Sequence, residues 1–176
     1  LTLSVDTVRP TIAITSAASS LKAGETTAVT FTLSEAATDF VEGDISISGG
    51  ALSNFAASSS TVYTATFTPT AESKTDGVIS VASNKFSNST GNANEDGSDD
   101  NNSLTLSVDT VRPTIVITSA ASSLKAGDST TVTFTLSEAS TDFVEDDISV
   151  SGGALSDFAA SSNTVYTATF TPIANS

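Results

Sequence analysis

The side chains able to do chemistry in this sequence are nearly all carboxylates, hydroxyls and amides. Asp and Glu number 20 against 6 Lys and Arg, and neither His nor Cys occurs. Without histidine the commonest general base is gone, and with it the Ser-His and Cys-His nucleophile pairs and most transition-metal sites. Without cysteine there is no thiolate ligand and no disulfide. Two carboxylates can still hydrolyse a glycoside. No paired-carboxylate motif, phosphate-binding glycine loop or nucleophile elbow is visible, however, and no Trp is present to stack a sugar. An enzyme is therefore not expected. What remains is an oxygen-rich acidic surface, the kind of environment that calcium takes.

The net charge of −14 argues in the same direction. A phosphate backbone or an anionic membrane surface would be repelled, so nucleic acid is not an expected partner. No stretch approaches the ~20 apolar residues of a membrane span, and direct membrane insertion is not expected either. No signal peptide stands at Leu1.

The elements that must position these acids follow from a repeat. LTLSVDTVRPTI begins at Leu1 and again at Leu104, a period of 103 residues. Residues 1–73 and 104–176 align without a gap, and most of their differences are mild, as in Ala13 against Val116 or Ile47 against Val150. Such a period is too long for a solenoid unit and fits one whole domain. Residues 1–6 read as the last strand of a preceding module. Residues 7–109 read as a complete module, and 110–176 as a second one truncated before its last two strands. A chain pairing its residues 1–6 with a neighbour's open module is a by-product to be expected. Copying suits a spacer or a multivalent binder better than a catalyst.

Strict alternation marks half-buried strands. It appears at Thr11 to Thr15, Thr27 to Ser34, Asp44 to Ser48 and Thr61 to Thr68, more weakly at Leu52 to Phe55, then after Asp76-Gly77 and at Leu104 to Val108. Seven short strands divided by turns predict an all-β fold, an immunoglobulin-like β-sandwich. Alternate strands run in opposite directions. The start of the first strand, the loop after the second and the loop before the last then share one pole. Asp6 lies at the first of these, Glu35, Asp39 and Asp44 at the second, and Asn88 to Asp100 at the third. Repelling carboxylates gathered there would be relieved by a divalent ion, with ligands from three segments. In the repeat the corresponding acids are Asp109, Glu138, Asp142 and Asp147. Calcium at this pole would stiffen the joint between neighbouring repeats and add to their stability. Pro10 and Pro113 restrict the entry to the first strand in any case.

Several segments in order carry a family likeness: VDTVRPTI, TVTFTLSEASTDFVEDDISVSGGALSDF, VYTATFTP, and Phe86 followed by GNAN at Gly91 to Asn94. The chain resembles the bacterial Ig-like repeats of giant RTX-type and biofilm-associated adhesins. That resemblance implies an extended stalk, secreted and held at the bacterial cell surface, serving cell adhesion or biofilm formation, with calcium at its domain junctions. It implies ligand roles for Asp6, Asp109, Glu35, Glu138, Asp44 and Asp147, and adds Asn92 and Asn94. The alternative is a repeated module that binds a glycan, ice or a protein and acts by avidity.

Overall fold

The computed structural model describes residues 1–3, 5–96 and 100–174. The chain divides into two compact units, Leu1–Arg112 and Pro113–Ser176.

In the first unit, eight strands build two sheets. β1 (Ile12–Ser16), β3 (Thr27–Leu33), β5 (Gly50–Ala57) and β6 (Val62–Pro69) form one sheet in the order β1-β3-β6-β5. β2 (Ser20–Lys22), β4 (Ile45–Ser48), β7 (Gly77–Val81) and β8 (Ser103–Asp109) form the other, in the order β2-β8-β7-β4. All pairings are antiparallel except β2 with β8, which run parallel. This is the expected sandwich. The period of two sends alternate residues inward, so Val29, Phe31 and Leu33 of β3 are buried while Ala28 and Thr32 face water.

The core lies between the sheets. Phe40, from the loop after β3, packs edge-on against Phe31, Phe55, Tyr63 and Phe86, with ring centroids 5.0–5.9 Å apart. The core has neither the disulfide nor the tryptophan that antibody domains use, and these aromatics fill it instead. β2 is a strand that alternation did not reveal: with three residues and one apolar side chain, Leu21, it has no period to detect. Leu1 to Leu3, Val5 and Asp6 form no strand and are exposed.

In the second unit, β9 (Ile115–Ser119), β10 (Thr130–Leu136), β11 (Gly153–Ala160) and β12 (Val165–Pro172) form a single sheet in the order β11-β12-β10-β9. It copies the first sheet strand for strand, with the same bulge between Ser156 and Ala159 as between Ser53 and Ala56. Its buried cluster is small, with Phe134, Tyr166 and Ala168 at the centre.

Candidate functional site

The loop from β7 to β8 folds back over the segment that enters β1. Asn94 shapes it: the buried side-chain carbonyl accepts from the backbone N–H groups of Lys85 and Phe86, and its amide donates to Ala82 O. Asn88 sets the next turn. Its carbonyl accepts from the N–H of Thr90 at 3.2 Å and of Asn92 at 2.8 Å. That leaves the Asn88 amide nitrogen aimed at the entry segment.

The grip then runs along residues 6–12. Thr90 Oγ1 donates to Asp6 Oδ2 at 2.8 Å, and Asn92 Nδ2 donates to Asp6 O at 3.1 Å. Arg9 reaches three partners in the loop: an ion pair with Glu95, Ala93 O at 2.8 Å and Asn84 Oδ1 at 2.8 Å. Glu95 N–H donates to Pro10 O, and Ile12 N–H donates to the buried Asp96 at 2.6 Å. Each contact is worth little where exposed. Together they fix residues 6–11, which form no strand, and the first residue of β1.

Asn88 Nδ2 marks the point where the acids meet. It lies 2.7 Å from Glu35 Oε2, 3.3 Å from Val8 O and 3.4 Å from Asp6 Oδ2. Three oxygens compete for the two protons of one amide. The Asp6 carboxyl is held below its ordinary value, first by the Thr90 hydroxyl, then by the Val8 N–H and against slight desolvation, with the Asn88 amide helping. These hard oxygens, two of them charged, fit calcium in kind. They fall short in number, since no group of three or more carboxylates close enough to hold a metal occurs among the described residues.

The structure thus brings Asp6, Glu35 and Asn92 together. Asp39 meets the same loop one residue before Asn88, its Oδ1 accepting from Ser87 N–H at 2.8 Å. Asp44 Oδ2 accepts from Val41 N–H at 2.9 Å and closes the turn before β4. Asn94 holds the loop from inside. Asp109 sits at the far end of β8, 3.1 Å from Lys74 Nζ. In the second unit Asp147 repeats the turn closure on Val144 N–H, Asp142 accepts from Ser140 Oγ at 2.7 Å, and Glu138 is half-buried. The described residues of the second unit, which run to 174, do not extend to a counterpart of the loop that carries Asn88 to Asn94. Gly97, Ser98 and Asp99 of the acidic run lie outside the described residues. Asn88 and Thr90, which join the acids, lie in the segment Asn88 to Asp100 that strand order places at this pole, but residue type and family likeness single out only Asn92 and Asn94 within it. The signal for them was the turn-forming run Asn88-Ser89-Thr90-Gly91.

The two sheets and this pole define an immunoglobulin-like domain without disulfides. The chain matches the model of the bacterial Ig-like domain over residues 6–105 and again over 109–176, and it belongs to that family. No curated protein matches it. Among solved structures it is similar to FdeC, an adhesin of Escherichia coli, at 17% identity over 92% of this chain and 55% of that one, with a TM-score of 0.47. It is also similar to the adhesin InvE of Yersinia pseudotuberculosis, at 18% identity over 92% and 51%, with a TM-score of 0.43. The chain spans about half the length of each. No helix among the described residues is long and apolar enough to cross a membrane.

Proposed function

We propose that this chain is a non-enzymatic stretch of stalk in a bacterial surface adhesin, and that its repeats hold other domains away from the cell to support adhesion or biofilm formation. The observation that carries this reading is the grip of residues 84–96 on residues 6–12. A module that clamps its own entry segment resists bending at that end. A joint of that kind suits an extender, whose work is mechanical. Calcium between Asp6, Glu35 and Val8 O would tighten the same clamp by taking over the place of the Asn88 amide.

The test is a thermal melt of the 176-residue chain in calcium and in chelator, with small-angle scattering of a chain holding two complete repeats. A higher melting temperature and a longer particle in calcium, both lost in Asp6→Ala, support the reading. An unchanged melt removes the cation. Scattering that shows a freely bending joint in either condition removes the extender.

A further inference from the structure

β2 and β8 pair in parallel, and they join the beginning of the first unit to its end. Ser20, Leu21 and Lys22 stand opposite Ser107, Val108 and Asp109, and Ser107 N–H donates to Ser19 O at 3.0 Å. Leu21 and Val108 are each 3% exposed, so the pair is sealed from water on its inner side. The chain keeps its heading from β1 into β2. Ala17 N–H still donates to Ala28 O, and Ala18 N–H to Thr27 Oγ1, both acceptors belonging to β3. The start of β1 and the end of β8 therefore lie at opposite ends of the unit.

The chain that leaves β8 is latched. Thr110 is 3% exposed. Its hydroxyl donates to Thr70 O at 2.7 Å and accepts from Ser73 N–H at 2.9 Å, and its own N–H donates to Ser73 O at 2.9 Å. Beside it, Lys74 Nζ lies 3.1 Å from Asp109 Oδ2. Residues 70–74 thus hold the exit, as residues 84–96 hold the entry.

Tension along the chain pulls residues 6–12 one way and Thr110 the other. It slides β2 and β8 past each other along their own axes. Bonds loaded side by side in this way must give together, whereas strands peeled from one end lose one bond at a time. We propose that the β2–β8 pair, closed by the Thr110 latch, is the load-bearing brace of this unit, and that the unit keeps its fold under tension until this pair slips. The brace rests on the stalk reading for the source of the tension. It needs no cation.

Pulling single molecules of the whole chain by handles at its two ends, in chelator and at constant force, tests it. The longer of the two extension steps reports the first unit, which holds more residues. Forced unfolding is governed by the barrier, and only contacts broken there change the lifetime. Thr110→Val keeps the shape of the side chain and removes the hydroxyl. It should shorten the lifetime of the folded first unit about five- to tenfold, the worth of one hydrogen bond. Ser107→Pro, which removes the N–H given to Ser19 O, should shorten it at least as much. Leu52→Ala in β5, buried in the core but outside the brace, should unfold more readily in denaturant and yet keep the parent's lifetime under force. A lifetime unchanged in Thr110→Val and Ser107→Pro overturns the brace and leaves the stalk reading standing. So does a Leu52→Ala chain whose lifetime shortens as much as theirs, since the unit would then yield as a whole. A freely bending joint in scattering removes the stalk reading without touching this result.

Discussion

At the scale of the residue, the entry pole is governed by amides as much as by acids. Asp6 is exposed, yet its carboxyl is held below its ordinary value by donors that exist only in the folded chain, the Thr90 hydroxyl first among them. A depressed folded pKa contributes stability that is fully present above the unfolded value of about 3.8 and is lost as the pH falls through the lowered one. Asp6→Asn should therefore melt below the parent at neutral pH, and the gap should close as the pH drops under that value. A gap of constant size across an acid titration of the two melts would mean that the carboxylate charge contributes nothing. The core makes a sharper prediction. Phe40 meets four rings, while its counterpart Phe143 meets three, Phe134, Phe158 and Tyr166, and is only half-buried. Phe40→Ala should cost about 3–5 kcal/mol in denaturant unfolding of the first unit. Phe143→Ala should cost clearly less in the second, because its cavity opens to water. The acids at the pole were legible in the sequence, since strand direction alone brings Asp6, Glu35 and the loop after β7 to one end. The parts played by Asn88 and Thr90 were not, because a neutral amide has no signature apart from the turn it makes.

At the scale of the element, identical or near-identical sequence does not give identical structure. Ser20 to Lys22 form β2 and Ile45 to Ser48 form β4, yet Ser123 to Lys125 and Ile148 to Ser151 form no strand. Their local sequences are Ser-Leu-Lys in both copies and Ile-Ser-Ile-Ser against Ile-Ser-Val-Ser. Propensity cannot explain the difference. Partners can: β2 and β4 are the two edges of a sheet whose centre is β7 and β8, and among the described residues the second unit holds neither central strand. An edge with nothing to pair leaves its backbone groups to water. Hydrogen exchange followed residue by residue should show Ser46 to Ser48 protected by β7, while Ser149 to Ser151 exchange near the rate of an unfolded chain. Equal protection in both would mean that β4 is held by its own sheet-to-sheet packing instead. This is also the limit of reading strands from alternation. The long strands β3 and β6 carry their period with them and are found in both copies. A short edge strand is specified by its neighbour, and the alternation in Ile148 to Ser151 predicts a strand that only β7 would make real.

At the scale of the whole molecule, the two units differ in what they can bury. Leu1–Arg112 closes a core between two sheets, while Pro113–Ser176 rests on one sheet with a small cluster. Each apolar side chain fully removed from water contributes about 1.5–3 kcal/mol. Ile12, Ile14, Val29 and Leu33 receive that in full, and their counterparts Ile115, Ile117, Val132 and Leu136 receive only part of it. Heating should therefore give two transitions rather than one, the lower from the second unit. A dye that binds exposed apolar surface should report on the second unit even before the first transition. Among the described residues the clamp of residues 84–96 on residues 6–12 occurs in the first unit alone. A ligand that binds the folded state raises its transition in proportion to the logarithm of its concentration. If calcium takes the place between Asp6 and Glu35, adding it moves the upper transition and leaves the lower one where it was. Calorimetry of the parent and of Glu35→Ala decides the matter. A calcium shift confined to the upper transition and absent in the variant places the ion at the clamp. A shift in the lower transition would move it to the acids of the second unit, and would break the link between cation binding and the hold on the entry segment.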